Sequence, residues 1–344
     1  MSARERCKTN TSSRPDDGFA QRNDRRWIVH PHNVAVFHAQ PAIRESSASA
    51  DNEFVAHEHY STVSKAYHSA FFYTGEYESW QLDHILLRLK LRPDHKLVDI
   101  GGGTGRFALL LRDTARLDQS VLCVDPSESM IKEAAQLRGI DTVCAGALEF
   151  VRNHRICYDR ALVKEVVHHL ADVDLLSMYR GILAQLTPGG VVLTCTRPHV
   201  VDYPLFEAAL KVWSHQQPSM QQYEEIIRAA GFDDVQCEVV EYPATLDKEW
   251  WLQMVRNRFW STLALEHFSE DELAEGVEEI SAKFRHTTTI AFTERMVFIT
   301  ASKSETAVLP IDQCMCCFEN SARQEAIYIL RYCRQRVLAR RYRR

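Results

Sequence analysis

The run Leu97-Val98-Asp99-Ile100-Gly101-Gly102-Gly103-Thr104-Gly105-Arg106-Phe107 constrains the fold of this chain more than any other segment. A short apolar strand runs directly into glycine, and helix-like patterning resumes over residues 105–116. Glycine lets the backbone adopt positive φ and lets a ligand approach it closely. A strand, a glycine turn and a helix in that order belong to α/β proteins, whose ligands sit beyond the carboxyl ends of the strands. A dinucleotide site would carry glycine at the sixth position counted from Gly101, and that position is Arg106. Asp99 argues the same way, because a carboxylate at a strand end repels a pyrophosphate and attracts an ammonium group.

The next elements extend the pattern. Residues 120–124 read as a strand that ends at Asp125, where an acid can accept hydrogen bonds from both hydroxyls of a ribose. Pro126-Ser127-Glu128-Ser129-Met130 then opens a helix and supplies an apolar wall. Further strands are expected at 141–144, 160–163, 191–196, 235–240 and 293–301, with helices at 127–138, 171–186 and 223–230. Such alternation predicts a doubly wound α/β fold, a mostly parallel sheet covered by helices on both faces.

Asp-x-Gly-x-Gly-x-Gly after one strand, an acid closing the next, and Pro188-Gly189-Gly190 before a later strand resemble the class I S-adenosylmethionine-dependent methyltransferases over about residues 60–302. The resemblance implies a Rossmann-like seven-stranded sheet with S-adenosylmethionine as cofactor. It places Gly101, Gly103 and Gly105 against the methionine part of the cofactor, Asp99 at its amino group and Asp125 at the ribose. Pro126, Met130 and Ala147 fall on the adenine side, and Lys164 at the same crevice. Members of the family often carry an acid near position 146; here the run is Cys144-Ala145-Gly146-Ala147-Leu148, so that contact is absent or made by backbone.

Residues 158–170 resemble the family's fourth strand and the loop after it, which brings Lys164, Glu165, His168 and His169 toward the transferred methyl. Either histidine is a candidate general base, its ordinary pKa lying near ~6.5, with helix capping as the alternative. Residues 249–260 concentrate Trp250, Trp251, Trp260, Met254, Arg256 and Arg258 in one insertion. A helical lid over 247–285 is expected, with Trp251 excluding water and Arg256 or Arg258 holding a substrate carboxylate. Tyr60 and Tyr67, from N-terminal helices capping the domain, close the opposite side, and Arg197 forms a further wall. The expected function is in-line methylation of a small metabolite, a carboxylic acid preferred, on oxygen, nitrogen or sulfur. The rival expectations are an RNA or protein methyltransferase that uses a basic tail, and a non-catalytic S-adenosylmethionine-binding partner subunit.

Composition bounds the rest. The 344-residue chain has a formal net charge of -5, which disfavours nucleic acid as a partner of the whole chain. Its cysteines, several inside apolar runs, suit a reducing compartment, hence a cytoplasmic expectation. No apolar run is long enough to span a membrane. Residues 1–53 read as a polar tail or an organelle address, 54–303 as the catalytic domain, and 304–344 as a Cys/Arg-rich tail. The spacing Cys314-Met315-Cys316-Cys317 departs from zinc patterns, so no metal is expected. Oligomeric state is left open by the sequence.

Overall fold

Strands buried on both faces require helices on both sides, and the first half of the domain is built that way. The computed structural model describes residues 75–305. In chain order these form α1 (Gly75–Leu89), β1 (Leu97–Ile100), α2 (Arg106–Ala115), β2 (Val121–Asp125), α3 (Glu128–Ala134), β3 (Ile140–Cys144), α4 (Ala147–Asn153), β4 (Tyr158–Lys164), α5 (Asp172–Gln185) and β5 (Leu186–Thr196). There follow α6 (Glu207–Gln216), α7 (Met220–Ala230), β6 (Asp234–Asp247), α8 (Lys248–Arg256), α9 (Glu270–Lys283) and β7 (Thr289–Ser302), with short 3-10 turns at Val167–His169 and Ser261–Leu263.

The seven strands lie in the order β3-β2-β1-β4-β5-β7-β6. β1 to β5 are mutually parallel, and β7 runs antiparallel to both neighbours. The order reverses between β1 and β4, so the loops after these two strands open side by side at the switch point where α/β sheets hold ligands. Period-two alternation divides the core. Val98, Ile100, Leu122 and Val124 pack with α4, α5 and α7 on one face. Leu97, Val121 and Cys123 pack with α1, α2 and α3 on the other.

A third core lies elsewhere. β5 ends at Thr196, paired with Val297, but β6 and β7 remain paired for another eight positions, from Val240↔Met296 to Asp247↔Thr289. At ~3.4 Å per residue this ribbon projects about 27 Å past the carboxyl edge of β5. It carries α8 and α9, whose apolar faces pack on Tyr203, Phe206 and Trp213 from the segment after β5. The Asp247 carboxylate accepts from the amide of Trp250 at 2.8 Å and turns the ribbon into α8. Ser269 and Glu272 form a capping box that starts α9.

The expected strand at 235–240 thus runs on to Asp247, and the expected strand at 293–301 begins at Thr289. β6 is an edge strand, which is why Pro243 fits inside it. Pro188-Gly189-Gly190 is part of β5 rather than a turn before it, with a register irregularity opposite Tyr158 and Arg160. No described helix is long and apolar enough to cross a membrane. Of the expected N-terminal helices, the part before residue 75, with Tyr60 and Tyr67, lies outside the described residues, as does the cysteine and arginine tail.

Candidate cofactor and active site

The glycine turn is held from below and open above. The amides of Gly101 and Gly102 both donate to Val124 O, at 2.7 and 3.1 Å, which ties the turn to the end of β2. Gly101 (φ 77), Gly103 (φ 56) and Gly105 (φ 71) all lie in the left-handed region. They differ in what surrounds them. A Cβ on Gly101 would stand 2.1 Å from Val166 Cγ2, and one on Gly105 3.1 Å from Ala134 Cβ, so both are packing positions. A Cβ on Gly103 would meet nothing within 4 Å. Gly103 is therefore where a ligand can lie on the backbone. Gly102, to which the motif assigns no role, is closed off: a Cβ there would stand 2.7 Å from Cys123 Sγ and 2.9 Å from Asp99 Oδ2.

Asp125 braces this turn. Its Oδ2 accepts from Gly103 N at 3.0 Å and its Oδ1 from Ser127 N at 2.9 Å. Asp99 is 3% exposed beneath the turn. Burial pushes its carboxyl up to about 7, Lys164 opposes the rise and Asp125 adds to it. Lys164 lies over the Phe107 ring at 4.9 Å from its centroid. Burial works to remove its charge, and Glu165 and Asp99 work to keep it. The turn thus has one buried acid, Asp99, and one part-buried acid, Asp125, a fit for a ligand with a protonated amine. Beyond Asp125, an open cleft of about 620 Å³ runs between the ends of β2 and β3, lined by Pro126, Ser127, Cys144, Gly146 and Glu149 among others. Met130 and Ala147, 4% and 7% exposed, lie under this cleft's walls rather than among its lining residues. Glu149, a turn further along than the missing acid, is a carboxylate at this cleft that the motif pattern does not reveal.

At the end of β4 a second cluster begins. Glu165 adopts φ 57, and its amide donates to Cys195 O at 2.9 Å. Its Oε1 stands 2.7 Å from Arg197 Nη1, an ion pair whose angle departs from the hydrogen-bond direction. Arg197 Nε also donates to Glu294 Oε1 at 2.9 Å, and the Tyr203 hydroxyl donates to the same oxygen at 2.8 Å. Burial opposes the charge on Arg197, but Glu165 and Glu294 outweigh it. The His168 and His169 rings meet at 4.0 Å between centroids. Burial, with the positive Arg197, pushes the His168 imidazole down to about 3. His168 is therefore uncharged at neutral pH and a weak base.

Residues 98–192, from β1 through the glycine turn and Asp125 into β5, match the family model of a methyltransferase domain. Residues 98–192 thus carry a methyltransferase-type domain. Among solved structures it is similar to phosphoethanolamine N-methyltransferase 2 of Haemonchus contortus, at 21% identity over 65% of this chain and 52% of that one, TM-score 0.42. It is also similar to the cyclopropane synthase MmaA2 of Mycobacterium tuberculosis, at 18% identity over 65% and 83%, TM-score 0.43. The [4+2]-cyclase SpnF stands at 18% over 74% and 96%, TM-score 0.48. The match spans about half the length of the Haemonchus contortus enzyme. No curated protein matches the chain.

In this methyltransferase domain the residues expected to contact substrate are dispersed. Arg197 is 3% exposed and committed to two carboxylates, so it is not an open wall. Trp251 is fully buried, its Nε1 donating to Pro204 O at 2.7 Å, and serves as a core residue rather than a pocket lining. Arg258 donates to Leu263 O at 2.6 Å and pairs with Glu270 at 3.1 Å, so its guanidinium staples the insertion to itself. Arg256 is exposed beside Glu270, Glu275 and Glu278 on a surface hollow. The tryptophan nearest the buried cluster is Trp260, with Arg197 5.6 Å from its ring centroid. Tyr60 and Tyr67 lie outside the described residues. Among the described residues no group of His, Cys, Asp and Glu side chains is arranged to hold a metal ion.

Proposed function

We propose that this domain methylates a small, neutral or amine-bearing metabolite at the carboxyl edge of β4 and β5. The observation that carries the reading is the pairing of an open Gly103 with Asp99 and Asp125 at consecutive strand ends. S-adenosylmethionine, when bound, supplies an activated methyl on a sulfonium. Asp99 would ionise opposite its ammonium, and Asp125 would accept from the ribose while still bracing Gly103. Pro126 and the cleft beside Glu149 would receive the adenine. Lys164, held by Asp99 and Glu165, keeps the floor of the site rigid.

The acceptor class is set by charge. Arg256 and Arg258 are the cations expected to meet a substrate carboxylate and Arg197 a further wall, and each faces solvent or is engaged by acids of the protein itself. Around Arg197 two carboxylates stand against one guanidinium, a setting that disfavours an anionic acceptor. His168 is too weak a base to deprotonate an alcohol efficiently, which favours acceptors whose lone pair is already available. In-line alignment and exclusion of water by α1 and the inserted helices would supply most of the rate.

A screen for labelled products, using methyl-labelled S-adenosylmethionine with metabolite pools and the full chain, tests this. The expected product is a methylated amine or other neutral nucleophile. Label appearing only in RNA or protein, or only in carboxylic acids, would refute it.

A further inference from the structure

Four described non-glycine residues have positive φ: Lys90, Arg116, Glu165 and Arg258. Arg116 is the C-cap of α2, Lys90 comes directly after α1, and Arg258 lies two residues past α8; left-handed backbone is ordinary at helix ends. Glu165 is different, because it directly succeeds a strand and points its carboxylate into a buried cluster. Glycine would take this conformation at no steric cost, so the backbone alone does not account for glutamate here.

Just past Glu165 the chain packs against the cofactor turn. The Glu165 amide is fixed to β5 through Cys195 O, and its side chain is fixed to Arg197, itself anchored on Glu294 of the projecting ribbon. The chain then bends at Val166 into the Val167–His169 turn. Val166 Cγ2 fills the space where Gly101 would carry a side chain. A shift of the Glu165 backbone therefore moves Val166, and Val166 is the wall on which Gly101 rests.

We propose that Glu165 is a positioning residue of the cofactor site: its ion pair with Arg197 holds the backbone after β4 in the left-handed conformation that seats Val166 against Gly101. Through Arg197 and Glu294 the same link joins the cofactor turn to the ribbon that carries the inserted helices. This rests on the reading of the glycine turn as the S-adenosylmethionine site.

Charge makes the proposal testable without unfolding the protein. Removing Glu165 leaves Arg197 and Glu294 as a one-to-one pair, and Lys164 keeps Asp99 as a partner. Glu165→Gly also relieves the left-handed strain, so its melting temperature should stay within about 3 °C of wild type. Calorimetry on the full chain with S-adenosylmethionine and with S-adenosylhomocysteine should then show binding weakened by about tenfold or more. Glu165→Gln, which keeps the side chain's reach and an oxygen facing Arg197, should stay within about threefold. If Glu165→Gly does not fold, Glu165→Asn tolerates the same backbone and is too short to reach Arg197. Wild-type affinity in a folded Gly or Asn variant overturns the proposal, as does loss of folding in both, which would make Glu165 a stability residue. Absence of binding by the wild type would instead sink the cofactor reading beneath it.

Discussion

Asp99→Asn should stabilise the cofactor-free protein while abolishing most of its cofactor affinity. The reason is the carboxyl's burial under the glycine turn, which raises it from the ordinary 3.8 to about 7. At ~1.4 kcal/mol per tenfold, that rise corresponds to at most about 4 kcal/mol of penalty for holding the charge. The amide loses the penalty but also loses the attraction of Lys164, so a net gain of about 1–2 kcal/mol is expected. For a domain of this size that is about 3–6 °C in melting temperature at pH 8. Linkage fixes the sign. A raised carboxyl pKa favours the fold when protonated, so the wild type is relatively most stable below pH 3.8 and loses that advantage progressively as pH rises to about 7. The gap between variant and wild type should therefore be smaller at pH 5 than at pH 8, where it is full. Saturating S-adenosylmethionine should reverse the order, because its ammonium stabilises the wild-type carboxylate. Scanning fluorimetry at both pH values, with and without cofactor, reads all of this. A variant that is less stable at pH 8, with no dependence on pH, would refute the reasoning.

The remaining predictions separate packing from ligand contact. Gly101→Ala collides with Val166 and should destabilise the protein by several kcal/mol, whereas Gly103→Ala meets open space and should cost only about 1 kcal/mol of backbone strain while blocking the cofactor; melting curves and calorimetry on the pair distinguish them. Arg258→Met should lower the melting temperature by a few degrees, through the loss of its bonds to Leu263 O and Glu270, and leave the Michaelis constant for the true acceptor nearly unchanged; a large rise in that constant would restore the carboxylate clamp. Arg256→Met, on the surface, should be near neutral in both measurements.

The first half of the domain is readable in the sequence because its signals are local. Leu97–Ile100, the glycine turn and α2 succeed one another within 20 residues, and the strand after them ends on an acid as a ribose site requires. Asp99 and Asp125 stand out from position alone. The glycines cannot be ranked that way, because what distinguishes Gly103 from Gly101 is Val166, sixty-odd residues away and adjacent only once β4 pairs with β1. The Arg197 cluster is hidden for the same reason: Arg197 and Glu294 are 97 positions apart in sequence and meet through the β5–β7 pairing. The insertion can be placed between the last two strands but its arginines cannot be aimed, since Arg258 turns back on a carbonyl of its own loop. The ribbon's length is masked by Pro243 and by the exposed, charged outer face of an edge strand, which weakens the alternation that marks a strand.

The central claim is that the turn from Gly101 to Gly105, with Asp99 and Asp125, is built for S-adenosylmethionine and not for a dinucleotide. Isothermal titration of the full chain with S-adenosylmethionine and, separately, with NAD tests it most directly. The account predicts one-to-one binding of S-adenosylmethionine in the micromolar range and no heat from NAD. Binding of NAD, with none from S-adenosylmethionine, would contradict it.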